Sequence, residues 1–380
     1  MSQRIGSIVT TVIGLAVIGW LLSLVSFPLF VAYLWIAGFF GSSFEAEFEK
    51  GKLLASRGDH KTAIVCLDEA LRIDPESSAA HNARGEVYAA VGQKEKAKRE
   101  FNRAIDLDAN NHAAYANRAQ HQSLAEAIAD FDRAITIAPD RSEYYQRRGK
   151  IHWIRRDIDA ATDDYDQAVK LGNVTSKVLM HRCFLRLIGG DLDRARSEAD
   201  FLVERFSEDA KSHITKARVL LGAGDYDGAM ASIIRAQAMD PRNESVSNAR
   251  GIIEMAAGNI DQAIAAYDRA IRLDYEFAYA YRKRGIAKAS QEMWEEALAD
   301  LSEAIQHRPD EALYYADRAA VNLAAGYVDE AITDCNAGLA IDSYLPSLYA
   351  IRGHAYAASG EEVRARRDKS EAIFYGYRND

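Results

Sequence analysis

The sequence is short of the residues that interrupt chains and of the patterns that build reactive sites. Six prolines in 380 residues, with no Pro-rich or Ser/Gly-rich tract, leave no candidate for a flexible linker. Three cysteines, Cys66, Cys183 and Cys335, are scattered and odd in number, which excludes a disulfide framework and a zinc cluster; they read as small buried hydrophobes. No G-x-S-x-G, no Gly-rich phosphate loop, no H-E-x-x-H and no C-x-x-C occurs, so no catalytic, cofactor-binding or metal-binding residue is expected, and the chain is read as a non-enzyme. The carboxylates Asp157, Asp159, Asp163, Asp164 and Asp166 cluster on an expected helix, whereas calcium needs a loop that wraps its ligands. Basic charge is also lacking: 47 Lys and Arg against 56 Asp and Glu give a net charge of −9, which argues against nucleic acid as a partner.

Charge of either sign is missing altogether between Ile5 and Phe40, a run that exceeds the roughly 20 apolar residues needed to cross a bilayer. Residues 1–43 are therefore read as a transmembrane anchor, too long for the roughly 7–15-residue core of a signal peptide and followed by no A-x-A site. Trp20 and the aromatics from Phe27 to Phe44 resemble an interfacial belt. Two topologies fit: one span, Ile8 to Phe30, or a hairpin of Ile5–Leu22 and Phe27–Phe44 broken at Pro28. The single span is favoured, since Ser23–Pro28 is hardly polar enough for a loop. Arg4 precedes the run and Lys50, Lys52, Arg57 and Lys61 follow it, so the expectation is a bacterial inner-membrane protein whose remaining residues face the cytosol.

What fills the rest of the chain is repetition. A small residue, Ala twelve positions on, a bulky residue four later and Ala three after that recur as Gly85/Ala97/Phe101/Ala104, Gly149/Ala161/Tyr165/Ala168 and Gly251/Ala263/Tyr267/Ala270. Gly285/Ala297/Leu301/Ala304 and Gly353/Ala365/Lys369/Ala372 continue the series. Small residues let two short helices approach and the bulky one fills the gap between units. Pro75, Pro139, Pro241 and Pro309 share a register where a second helix must stop. Gly92, Gly190, Gly224, Gly258, Gly326 and Gly360 share another, where the first helix must turn left-handed.

This pattern, with its 34-residue period, resembles the tetratricopeptide repeat family. The resemblance implies an all-α fold, a right-handed α-solenoid of ten helix-turn-helix repeats near 44–77, 78–111, 112–141, 142–175, 176–209, 210–243, 244–277, 278–311, 312–345 and 346–380. The third repeat is short, eight residues from Ala119 to Ala127, and is expected to lose a turn; either the array bends or divides there, or the deletion is neutral.

One position before the small residue, seven repeats carry Arg matched to an acid in the second helix: Arg84/Glu100, Arg118/Asp130, Arg148/Asp164, Arg182/Glu198, Arg284/Asp300, Arg318/Asp334 and Arg352/Asp368. These read as ion pairs bridging the helices of one repeat, because a buried Arg without a partner is costly. Arg250 faces Ala266 instead, and its nearest acid is Glu254, one turn away.

In the family the first helices line a groove that holds partner peptide. The early repeats place polar residues there, among them Glu45, Lys52, Asn82 and Glu86. The fourth to seventh place Lys150 and Trp153; Lys177, Met180, Phe184, Leu187 and Ile188; Lys211, Ile214 and Arg218; and Asn248, Ile252 and Met255. Two readings remain: a basic-rimmed apolar groove for protein or peptide segments with apolar anchors and some acidic residues, or side chains that neighbouring repeats bury as core. The chaperone-tail receptors of the family clamp a carboxylate with Lys and Asn at the fifth and ninth positions; Asn82/Glu86, Ala116/Gln120, Gln146/Lys150 and Arg282/Ile286 do not rebuild that clamp. The expected function is a membrane-anchored scaffold or adaptor binding partners through its groove. The alternative is an assembly or regulatory subunit of an envelope complex, docking through its edges and its last repeat, where Phe374, Tyr375 and Tyr377 gather.

Overall fold

The computed structural model describes residues 43–376, and the expected anchor over residues 5–40 lies outside them. Among the described residues every regular element is helical, and no helix is long and apolar enough to cross a membrane. The chain divides into two compact units at Arg156/Asp157. The first holds α1 (Phe44–Ser56), α2 (His60–Ile73), α3 (Ser78–Ala90), α4 (Lys94–Leu107), α5 (His112–Arg118), α6 (Leu124–Ile137) and α7 (Ser142–Ile154). The second begins with α8 (Ile158–Lys170), α9 (Ser176–Ile188), α10 (Leu192–Arg205), α11 (Ala210–Gly222), α12 (Tyr226–Met239) and α13 (Glu244–Ala256). It continues with α14 (Ile260–Leu273), α15 (Ala278–Ala289), α16 (Trp294–His307), α17 (Ala312–Ala324), α18 (Val328–Ile341), α19 (Pro346–Ala358) and α20 (Glu362–Phe374).

Local chemistry sets the helix ends. Ser43, Asp59, Ser77, Asn111, Asp157, Thr175, Asp191, Asp209, Asp225 and Asn243 each accept a backbone N–H of the first turn, and Ser123 forms a reciprocal capping box with Glu126. From α14 onward no N-cap side chain makes such a bond. Between the paired helices the chain turns left-handed, at φ 77° for Gly92 and 87° for Gly326. Arg156 and Glu292 take that conformation without being glycine, at φ 61° and 60°.

Glycine has a second use inside the first helices. A Cβ on Gly85 would sit 2.5 Å from the ring of Phe101, and one on Gly251 2.5 Å from that of Tyr267. Close contact there buries the bulky position: Phe101, Phe131, Tyr165, Tyr267 and Leu301 are all enclosed, whereas Lys369 at the same register is exposed. Within each unit, first helices pack on the first helices of the next repeat, as α9 on α11 and α17 on α19, and each repeat's core is closed by its successor. Leu179, Cys183, Ala195, Ala199 and Leu202 are thus sealed by Val219. All three cysteines are buried, and burial pushes the Cys183 and Cys335 thiols up to about 12.

The six arginine pairs that lie within one unit all form, at 2.8 Å for Arg84–Glu100, 2.6 Å for Arg118–Asp130, 2.7 Å for Arg182–Glu198, 2.5 Å for Arg284–Asp300, and 2.6 Å for Arg318–Asp334 and Arg352–Asp368. Arg148 and Asp164 lie in different units. Each guanidinium also reaches the second helix of the preceding repeat, sixteen residues back: Arg84 to Asp68, Arg118 to Asn102, Arg148 to Asp132, Arg182 to Asp166, Arg284 to Asp268, Arg318 to Ser302 and Arg352 to Asn336. The arginines are therefore rungs that tie repeat to repeat, not only helix to helix. Each of these six pairs bridges the two helices of its own repeat as expected, and the second link adds a tie to the repeat before. The third repeat has the shortened first helix expected of it, its seven-residue α5 running into a 3-10 turn at Ala119–His121, but it does not divide the array there: Arg118 still links Asn102 to Asp130.

Candidate functional site

The layer of first helices in the second unit contains a cleft of about 260 Å³ between α9 and α11, lined by Met180, His181, Phe184, Leu187, Thr215, Arg218 and Val219. Four of these are residues singled out in the sequence: Met180, Phe184, Leu187 and Arg218. Helical spacing explains the grouping, since residues three and four apart share a face. Met180 and Leu187 rest on the core of Leu179, Cys183 and Leu202, so their inner atoms are anchored while one side faces the cleft. Leu187 approaches α11 closely because Gly222 stands opposite, where a Cβ would meet its Cδ1 at 2.4 Å.

Polar atoms are few and placed. His181 Nδ1 donates to the Lys177 carbonyl at 2.6 Å and its ring stacks on Tyr165 at 5.4 Å. Thr215 is committed to its own helix, its hydroxyl donating to the Lys211 carbonyl at 2.9 Å. Arg218, Lys177 and Lys211 are exposed. The arrangement is an apolar floor with cationic edges, suited to an apolar side chain flanked by negative charge.

The other sequence candidates go elsewhere. Ile188 is 51 % exposed at the end of α9. Ile214 is not a groove residue: it is buried in the core with Ala217, Val246 and Ile253, because α13 packs over it. Asn248 is buried as well. Ile252 and Met255 are half-buried and pack against the core of Ala263, Tyr267 and Ala287. Lys150 is exposed and Trp153 half-buried on α7, in the first unit. Thr215 and Val219 went unnoticed in the sequence because they stand one place beyond the groove register, and His181, at the same offset, stood out only as a histidine and not as a groove residue.

The first unit has its own cleft, of about 350 Å³, floored by Leu67, Ala83, Val87 and Ala90 and edged by Lys52 and Glu86. Here the polar reading holds: Asn117 donates to Glu86 at 2.7 Å and to Asn82 at 3.1 Å, while Asn82 donates to Glu86 at 2.9 Å.

Comparison with known proteins agrees with this architecture. A family model described as TPR repeat matches residues 51–92 and 251–292, and two described as tetratricopeptide repeat match 78–111 and 187–244. Sperm-associated antigen 1 of Rattus norvegicus is 31% identical over 104 residues, which is 26% of this chain and 12% of that protein. A tetratricopeptide repeat protein from Parabacteroides merdae superposes with a TM-score of 0.50 at 19% identity, covering 65% of this chain and 99% of its own. The Cut9–Hcn1 hetero-tetramer of the APC/C gives a TM-score of 0.50 at 15% identity over 88% of this chain and 81% of the other. At such identities the two structures speak to the fold.

Proposed function

We propose that the chain is an adaptor of the tetratricopeptide repeat type, a class of scaffold for protein–protein interaction, whose α9/α11 cleft captures a partner segment; the repeat models matching parts of the chain support the assignment. The observation that carries this is the meeting of Met180, Phe184, Leu187 and Arg218 around one cleft, on the face that the family uses for peptides. The ligand chemistry is an apolar anchor seated between Met180, Phe184 and Leu187, with a nearby carboxylate answered by Arg218 and the rim lysines. A display library of random peptides screened on the chain is expected to return sequences pairing an apolar anchor with an acid, and Phe184→Glu with Leu187→Glu is expected to lose them. Peptides that bind the double variant equally well overturn the reading.

We further propose that residues 5–40 anchor this adaptor in a membrane, on the strength of their uninterrupted apolar character, with the repeats on the cytosolic side. Confining adaptor and partner to one membrane raises their effective concentration. Protease protection of a tag after Asp380 in sealed spheroplasts tests this: digestion only after lysis is expected, and digestion from outside contradicts it.

A second reading is favoured by the last helix. Val363, Ile373 and Phe374 on α20 are 81 %, 70 % and 79 % exposed, and Tyr375 stacks on Tyr349. Such a surface suits docking of the last repeat onto a larger complex. Ile373→Glu with Phe374→Glu separates the two readings, since it spares peptide capture and abolishes docking.

A further inference from the structure

The rungs described above share one geometry: an arginine of the first helix receives a carboxylate from the second helix of its own repeat, and a carboxylate or other acceptor from the preceding one. At Arg250 both places are empty of acid. Ala266 stands where Asp300, Asp334 and Asp368 stand in the next three repeats, and Ile234 stands sixteen residues back. A cleft of about 210 Å³ opens there, lined by Gln237, Ser247, Arg250, Gln262, Ala266 and Arg269. Arg250 keeps only a contact of 3.5 Å to Glu254, against 2.5–2.8 Å in the paired rungs. Glu254 is itself shared, accepting from Asn259 at 3.0 Å. Arg269 donates to the Pro241 carbonyl at 2.9 Å and meets Gln237; neither partner carries charge. Two guanidiniums thus line one cleft whose lining holds no carboxylate.

We propose that this cleft is a receptor for a single carboxylate side chain, supplied by an acidic segment of a polypeptide partner. The chain's own aspartates show the pose: seated against the helix pair, accepting from the guanidinium. An incoming carboxylate takes the place that Ala266 leaves, bridged by Arg250 and Arg269, with the hydroxyl of Ser247 lining the same cleft. Arg–carboxylate pairing of this kind is directional and charge-assisted. The volume is below the roughly 300–1,000 Å³ of sites for drug-sized ligands and suits one side chain. This site is distinct from the α9/α11 cleft: it is built by α12, α13 and α14 from residues outside the groove register.

The experiment follows the arginine Nε–H signals of the full-length chain in detergent micelles by NMR. The titrants are a short Gly-Ser peptide with one central glutamate, the same peptide with glutamine, and free glutarate. Saturable shifts at Arg250 and Arg269 are expected with the glutamate peptide, and binding at least ~10-fold weaker with glutamine, as loss of a charged hydrogen bond predicts. Arg250→Gln and Arg269→Gln are each expected to weaken binding about tenfold. Ala266→Asp, which supplies the missing carboxylate internally, is expected to abolish binding and to raise the urea midpoint; Phe184→Glu is expected to leave binding unchanged. Equal response to the glutamate and glutamine peptides, or binding that survives Ala266→Asp, overturns the proposal. Glutarate binding as tightly as the peptide overturns the assignment to a polypeptide, and loss of binding in Phe184→Glu places the carboxylate in the groove instead.

Discussion

Removing one rung arginine makes a quantitative case for the ladder. Arg318 donates to Asp334 at 2.9 and 2.6 Å and to Ser302 at 3.0 Å; Asp334 is 4 % exposed and its other donor is Asn322 at 3.0 Å. Breaking a fully buried pair costs about 3–5 kcal/mol because the remaining charge is stranded. Arg318 is a quarter exposed and Asn322 still serves Asp334, so Arg318→Met is expected to cost about 2–3 kcal/mol. Arg318→Met with Asp334→Leu removes both charges and is expected to cost less than the arginine variant alone. Stacked repeats do not unfold all-or-none, so urea unfolding by circular dichroism needs hydrogen exchange beside it to localise the loss to α16, α17 and α18. A single-variant cost under about 0.5 kcal/mol, or strict additivity in the cycle, refutes the rung as a coupling element.

Other outcomes follow from particular residues. Glu292 turns left-handed and Met293 caps nothing, so Glu292→Gly with Met293→Asp is expected to stabilise the α16 repeat by about 1–2 kcal/mol, read as a higher urea midpoint; no change removes the strain argument. Cys183 and Cys335 are expected to resist a thiol reagent until the chain unfolds, and rapid labelling of native protein contradicts their burial. Burial pushes the Glu100 carboxyl up, but bonds from His81 and Arg84 outweigh it and hold the group below its ordinary 4.5. A depressed carboxylate stabilises the fold above its unfolded value, so stability is expected to fall as pH drops below about 4.5, with a shallower fall in Glu100→Gln; equal slopes discount the pair.

Much of this architecture was legible because each repeat restates the same constraints. Gly92 and Phe101 announce a turn and a helix–helix contact by type and spacing alone. The rungs were half legible. Arg318 and Asp334 are opposite in charge and sixteen apart, but the second link, sixteen residues back, is an aspartate in some repeats (Asp68, Asp268) and Ser302 or Asn336 in others, so its pattern is broken. Ile214 was misplaced for a different reason: its register position faces the groove only where neighbouring first helices diverge, and here α13 covers it. Arg156 and Glu292 hide a left-handed turn behind residues that rarely adopt one. The vacancy beside Arg250 was visible as Ala266, but only the cleft in space distinguishes it from a pair rescued by Glu254.

Hydrogen–deuterium exchange of the chain with and without its best display-selected peptide tests the central claim most directly, because it reports where the partner lies without assuming it. Slower exchange is predicted at the ends of α9 and α11 that border Met180, Phe184, Leu187 and Arg218, and none in Phe184→Glu. Protection confined to α19 and α20, or unchanged exchange across α9 and α11 at saturating peptide, contradicts the α9/α11 cleft as the site of capture.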